Sequence, residues 1–308
     1  MAAPSVPPPD ATNPVIGPVI GPVIGAEQAA AAFPPLLVAA ERVAATVAQG
    51  IHGRRRTGPG DSFWQFRRYQ AGDPAQAIDW RQTAKADRPF VREHEWESAQ
   101  TVRLWCAGGP GMDWRSTGTL PSKRERAVLL VLALASLLLR GGERVGLLMD
   151  GDRPTSGRLA LHRLAGTLQR AGAWDIPTAG LPRHTAVVLV GDFLEPVEDI
   201  APRLRALAAR GARGHVVQVL DPAEESLPYS GRVQFIDPAL TPAAWLVNRA
   251  EDIRGAYVER LLAHREALRA LARSLGWTFG LHHTDMSPES ALLGLHQTLS
   301  GALLRGGA

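Results

Sequence analysis

From Thr101 to the C terminus, short apolar runs of strand length alternate with longer segments of helical period, and this alternation restricts the fold more than any other property of the chain. Thr101–Trp105, Arg144–Met149, Ala186–Val190, His215–Leu220 and Trp277–His282 read as strands. Several are apolar throughout, as strands covered on both faces must be. Ser122–Arg140, Arg158–Arg170, Val197–Arg210, Leu246–Leu275 and Pro288–Leu304 read as helices. Ser122 with Glu125 makes a capping box, Gly141-Gly142 a stop, and Ser287 ahead of Pro288 a second helix start. The expected architecture is α/β: a mostly parallel sheet with helices on both faces. Open sheets of this kind bind ligands beyond the carboxyl ends of their strands, where strand order reverses. The loops Cys106–Asp113 and Gly191–Glu195 are the candidates.

Upstream of this series lies the segment Gly53–Glu97, GRRRTGPGDSFWQFRRYQAGDPAQAIDWRQTAKADRPFVREHEWE, dense in aromatic, glycine and charged residues. Thr57-Gly58-Pro59-Gly60-Asp61 and Ala71-Gly72-Asp73-Pro74 are turn sequences. Phe90–Glu97 reads as a strand with Val91, Glu93, Glu95 and Glu97 on one face and Phe90, Arg92, His94 and Trp96 on the other. The arginines, Arg54, Arg55, Arg56, Arg67 and Arg92 among them, are interleaved with acids, so the local charge nearly cancels. Nucleic-acid binding rests on a net basic surface and counterion release, and this pattern argues against it. The acids are expected to meet the arginines, with Arg67, Asp73 and Asp79 in one ion-pair network; a hard metal ion held by the carboxylates is the alternative.

With 308 residues and 45% hydrophobic content the chain can bury a full core. The formal charge of +4 is spread along the sequence and gives little reason to expect an anionic partner. The single cysteine, Cys106, forms no internal disulfide, and no secretory pattern opens the sequence, so a cytoplasmic location is expected. The apolar run Ala127–Leu139 falls short of the roughly 20 residues that span a bilayer. Residues 1–34, Pro- and Ala-rich with a PVIG repeat from Pro14 to Gly25, read as an unfolded leader. Docking of its Val-Ile pairs on a partner or sheet edge is the alternative. Leu36–Gln49 suits a helix closed by Gly50. Three units result: the leader 1–34, a helix and charged turn-rich β module over 35–97, and the α/β domain over 98–308.

Catalytic patterns are scarce. The Gly108-Gly109-Pro110-Gly111 loop lacks the lysine of a phosphate loop. His282 and His283 are adjacent on a strand and point to opposite faces, so the expectation is one buried and hydrogen-bonded and the other exposed. Cys106 suits a packed residue better than a nucleophile. The tryptophans, including Trp64, Trp80, Trp96, Trp105 and Trp114, gather at the module and the first strand, mostly as core, though an exposed one suits an interface anchor.

The succession GRRRTGPGDSFWQFRRYQAGDPAQAIDW and then FVREHEWE resembles the signature of domain-of-unknown-function family fifty-eight. VVLVGDFLEP (187–196), VLDPAEESLPYSGRVQF (219–235) and GWTFGLHHTDMSPESALLGLH (276–296) resemble that family's later motifs in the same order. The resemblance covers about residues 40 to 305. It implies a von Willebrand A-like, Rossmann-like fold and a MoxR-type AAA+ ATPase as companion, and it implies no reaction. Domains of this type hold a divalent cation through a D-x-S-x-S motif in the first loop and an aspartate in the later one. Set against that motif, this chain has Ala107, Gly109 and Gly111 in place of Asp, Ser and Ser, and Asp192 matches the later aspartate. One carboxylate without neighbouring oxygens makes a poor Mg2+ or Ca2+ site, so no metal and no cofactor are expected. Asp192 reads equally well as an N-cap or turn residue before Val197.

Two functions follow as expectations. The first is a non-enzymatic interaction or adaptor protein serving a MoxR-type ATPase and a client protein, with Arg54, Arg55, Arg56, Arg67, Asp73, Asp79, Trp80, Arg92, Glu93 and Glu95 as its interaction or structural motif. The second is a metal-dependent hydrolase or phosphotransfer enzyme using Asp73, Asp79, Glu93, Glu95 or Asp192, which requires two of these acids in one cleft.

Overall fold

The computed structural model describes residues 33–52, 63–69, 78–85, 88–94, 100–170, 172, 175–177, 181–183, 185–236 and 244–304. Its centre is a five-stranded parallel sheet of β3 (Thr101–Cys106), β4 (Arg144–Leu147), β5 (Ala186–Gly191), β6 (Arg213–Leu220) and β9 (Thr278–His283) in the order β4-β3-β5-β6-β9. Each strand is followed or preceded by the helix its sequence announces: α3 (Lys123–Arg140), α4 (Arg158–Arg170), α5 (Val197–Ala209), α7 (Ala250–Ser274) and α8 (Pro288–Leu304).

The side-chain alternation of the strands divides the core in two. Val102, Leu104, Cys106, Val188, Val190, Val217 and Val219 face one cluster, completed by α3, α4, α8 and by α1 (Phe33–His52). Trp105, Val187, Leu189 and Val216 face the other, under α5 and α7. Helices thus cover both faces, in a doubly wound, Rossmann-like arrangement. α3 is buried nearly all round, with thirteen residues out of solvent, which explains its apolar sequence without a membrane. Among the described residues no helix is long and apolar enough to cross a membrane. Helix α1 begins at Phe33, three residues before the sequence pattern suggests, and its Ala40, Val43, Ala44 and Val47 are part of the α/β core.

Close packing fixes one glycine. A Cβ on Gly214 of β6 would lie 2.0 Å from the Trp277 ring, whose Nε1 donates to Ala212 O at 3.0 Å. Only hydrogen at that position lets the indole close the second core cluster.

The helix expected from Leu246 starts instead at Ala250. Ala244–Val247 form β8, paired antiparallel with β7 (Val233–Ile236), with Trp245 opposite Phe235. Tertiary pairing overrides a pattern that continues in phase with the helix. Trp245 is 81% exposed on this hairpin. The strand expected over Arg144–Met149 ends at Leu147, where Asp152 Oδ2 accepts from the Leu147 N–H at 2.7 Å.

In the β module, β1 (Phe63–Arg68) pairs antiparallel with β2 (Phe90–His94), as expected of the latter segment, with Phe66 opposite Arg92, Gln65 opposite Glu93 and Arg67 opposite Val91. The short α2 (Trp80–Thr83) docks on β2: the Asp79 N–H donates to Phe90 O at 2.9 Å and the Phe90 N–H to Thr83 Oγ1 at 3.1 Å.

Candidate functional site

The chain runs from β3 through α3 to β4 on one side, then through α4 back across to β5 on the other. Strand order therefore reverses between β3 and β5, and the loops after them flank the crevice. Ala107 prolongs β3, its N–H donating to Val190 O at 2.8 Å. Gly109 precedes a 3₁₀ turn, Pro110–Asp113, that buries Met112. A Cβ on Gly111 would stand 3.6 Å from Asp192 Oδ2, so the two candidate loops do meet.

What fills the crevice is Lys123, the first residue of α3. Its Nζ lies 2.8 Å from Asp192 Oδ2 and 2.6 Å from Glu224 Oε1, and its side chain is 2% exposed. A lysine at a helix N-terminus opposes the dipole, and the two carboxylates reverse that local balance. Burial pulls the ammonium pKa down, but Glu224 and Asp192, by charge and by hydrogen bonds, carry it above its ordinary value. The ammonium form is thereby favoured. Burial likewise lifts the Glu224 carboxyl, with Lys123 opposing.

Each carboxylate is held by local sequence. Gln218 Nε2 donates to Asp192 O at 2.9 Å. Glu224 belongs to a capping box at α6 (Pro222–Ser226): Asp221 Oδ1 accepts from the Ala223 N–H at 2.9 Å, and Glu224 Oε2 accepts from the Asp221 N–H at 3.0 Å. One Glu224 oxygen serves the cap and the other serves Lys123. Asp221 Oδ2 in turn accepts from the Ser116 N–H at 2.9 Å. Three loops, after β3, β5 and β6, are thereby fastened to one another.

Further ion pairs surround this centre. Arg124 joins Asp113 and Gly108 O, closing the first loop on the helix that follows it. Glu225 joins Arg265 of α7 and lies 2.5 Å from His283 Nε2. Among the described residues, the two non-glycine positions with positive φ are Phe193, at 47°, and Leu227, at 42°, and each lies close in sequence to one of the carboxylates. Such backbone costs about 1–3 kcal/mol apiece and persists only where surroundings enforce it. Here α7 enforces both: His264 Nε2 is 2.7 Å from Phe193 O, and Arg254 Nε donates to Leu227 O at 2.9 Å.

These contacts correct the reading of Asp192. It does not cap α5, whose N-cap position is Pro196 with no side-chain hydrogen bond. Nor does it stand without neighbouring oxygens, since Glu224 is brought to the same ammonium. Ala107, Gly109 and Gly111 offer no side-chain oxygen, as expected. A divalent cation does not fit this donor set, because the place between the two carboxylates is taken by a fixed positive charge. Among the described residues no group of three His, Cys, Asp or Glu could hold a metal ion. A cleft of about 360 Å³ lined by Glu41, Ser136, Leu139, Arg140, Gly157 and Leu161 brings together one acid and one base, far from these loops.

Other expectations divide. Arg54, Arg55, Arg56, Asp73 and Glu95 lie outside the described residues, as do the side chains of Arg67, Arg92 and Glu93. Trp80 is 68% exposed at the start of α2. Cys106 is buried, and its thiol is pushed up to about 12 by burial, against Arg124. His282 is buried, and its Nε2 has no hydrogen-bond partner among the described residues; His283 is partly exposed, its Nε2 lying near Glu225 Oε2. Lys123 and Glu224 were not singled out by pattern. The signals were present: a lysine directly after a helix cap, ahead of an apolar run, and the D-P-A-E capping box of residues 221–224.

The chain belongs to the family described as protein of unknown function DUF58, whose model matches residues 65–267. It is similar to the uncharacterized proteins Rv1480 of Mycobacterium tuberculosis and Mb1516 of Mycobacterium bovis, each 29% identical over 245 residues, 68% of this chain and 76% of the relative. Among solved structures it aligns with conserved hypothetical protein BatB from Bacteroides thetaiotaomicron, at 12% identity and a TM-score of 0.37, over 66% of this chain and 98% of that one. An uncharacterized membrane spanning protein from Vibrio fischeri aligns at 14% identity and a TM-score of 0.17, over the same shares.

Proposed function

We propose that this member of the family is a non-enzymatic interaction or adaptor protein of the cytoplasm, a von Willebrand A-like domain with a degenerate metal-ion site that works with a MoxR-type AAA+ ATPase in assembling or maturing a client protein. One observation carries the reading: the carboxylates at the switch point, where such a fold places its ligand, are spent on Lys123. A carboxylate engaged at 2.8 Å by a buried ammonium is a weaker base and a poorer ligand for a cation than a free one. This weighs against the hydrolase reading at Asp192. The fastened loops instead give a rigid edge, and rigid surfaces bind partners with little ordering cost. Exposed Trp80 on the module supplies the kind of side chain that anchors interfaces.

The test is affinity capture of the full chain from its native cells, with ATP, without it, and with EDTA, and identification of what is retained. An AAA+ ATPase held in a nucleotide-dependent manner and insensitive to EDTA beyond the loss of Mg-ATP is the expected result. Recovery of no such ATPase, or metal-dependent hydrolysis of phosphoester or peptide substrates that disappears in Asp192→Asn, overturns it.

A further inference from the structure

We infer that Lys123 is a tethered cation occupying a divalent-ion seat, and that the seat, formed by Asp192 and Glu224, becomes a metal site once that side chain is shortened. The inference deepens the interaction reading above, since it accounts for a contact edge that needs no metal. It rests on charge and donor chemistry. Two carboxyl groups, Asp192 and Glu224, face one ammonium, and Asp221, itself fully buried, lies close by in the Glu224 cap. A single ammonium balances one of these groups, whereas a divalent ion balances both in their ionised form.

A second observation is independent of the acids. Gln218 has no solvent exposure, its Nε2 is bonded to Asp192 O, and its Oε1 has no hydrogen-bond partner among the described residues. A buried amide oxygen left unbonded, on a side chain anchored to the Asp192 carbonyl, is a hard, neutral donor of the type Ca2+, Mn2+ and Mg2+ accept, one side-chain rotation from that anchor. The seat is also prebuilt. Asp192 is held through its carbonyl and Glu224 through its cap, while Phe193 and Leu227 keep strained backbone beside them under the grip of His264 and Arg254. None of these contacts involves Lys123, so they are expected to survive its removal. Truncating the lysine to alanine vacates the volume of the ammonium and most of its stem, room for an ion and its waters.

The experiment uses the full chain with Lys123→Ala and Lys123→Met, each with and without Asp192→Asn. Mn2+ binding is followed by titration calorimetry and by the loss of free-ion paramagnetic resonance signal, and thermal unfolding is recorded at rising Mn2+. The native chain is expected to show neither binding nor a shift in Tm. Lys123→Ala should have a lowered Tm that Mn2+ raises, with saturable Mn2+ binding where the native chain shows none, abolished by Asp192→Asn. Lys123→Met, which loses the charge and keeps most of the bulk, should respond less. If Lys123→Ala does not fold alone, its recovery in Mn2+ and not in Na+ of matched ionic strength gives the same answer. The inference is overturned if Lys123→Ala binds Mn2+ no better than the native chain, or if the native chain binds it through Asp192 with lysine in place. Failure of the ATPase capture leaves these titrations untouched, so the two readings fail separately.

Discussion

Lys123 Nζ and Asp192 Oδ2 lie 2.8 Å apart across the reversal of strand order, although 69 residues separate them in sequence. That contact joins the N-terminus of α3 to the C-terminal end of β5, with the ammonium buried and the carboxylate partly exposed. A buried charge that loses its partner is costly, and this one has two partners.

Replacing Lys123 with methionine should destabilise the native state by about 3–5 kcal/mol, the range for stranding buried charge. The combined variant Lys123→Met/Asp192→Asn/Glu224→Gln should recover a large part of the loss, because no ion is then left unpaired. Urea unfolding of the three single substitutions and the combination measures this. A loss near 1 kcal/mol or less for Lys123→Met would place the network with exposed pairs.

Restoring the family-like oxygens is expected to fail while the lysine stays. Gly111→Ser fits, since its Cβ meets Asp192 Oδ2 at an ordinary 3.6 Å. Even so, Ala107→Asp/Gly109→Ser/Gly111→Ser should bind Mg2+, Mn2+ and Ca2+ no better than millimolar in calorimetry, because the ammonium repels the ion. Adding Lys123→Ala to that set should produce the tightest binding of the series.

Local chemistry made much of this fold legible. The Ser122–Glu125 capping box places the start of α3, and Pro288 places the start of α8, because caps are satisfied within a few residues of where they are written. The parallel strands were visible as apolar runs. Asp192 was visible as a position, while its contact with Lys123 was not, because its partner is decided by tertiary approach and not by neighbours in sequence. The same reason hid Ala244–Val247 inside a helical pattern: pairing with Val233–Ile236 outweighs the periodicity. The arginine and acid residues of the turn-rich module were legible as composition, while Asp73 and the Arg67 side chain, two of the three members of their expected network, lie outside the described residues.

Acid should destabilise the chain from about pH 6.5 downward. His215 and His282 are buried and neutral, each held down at about 4, His215 by burial and His282 by burial with Arg126 and His283 adding to it. Between the unfolded value of about 6.5 and the folded one, the unfolded chain binds protons that the native chain does not, so stability falls as pH falls. Each histidine contributes a slope of up to about 1.4 kcal/mol per pH unit. His215→Asn should flatten the stability profile between pH 4 and 6.5, and an unchanged profile would count against a neutral buried His215.

Gly214→Ala should lower stability by about 1–3 kcal/mol or more, the cost of forcing a methyl into a packed core. The methyl would overlap the Trp277 ring at 2.0 Å. Near-ultraviolet circular dichroism should show the displaced indole.

Partner contact is expected to centre on the module. Trp80→Ala, or alanine at Arg54, Arg55 and Arg56 together, should abolish ATPase association in a pulldown; for Trp80→Ala thermal unfolding should stay within about 1 °C, because that exposed side chain contributes little to folding. Association that survives the whole set would move the contact surface elsewhere.

The chain's one thiol, Cys106, is buried and pushed up to about 12, so at neutral pH it is protonated and out of reach of alkylating reagents. A cysteine introduced at any exposed position will therefore carry a dye, a spin label or a photocrosslinker alone, with no background substitution needed. Walked across Trp80, Trp245 and Met286 in turn, a single reporter can chart which side of the molecule a partner covers.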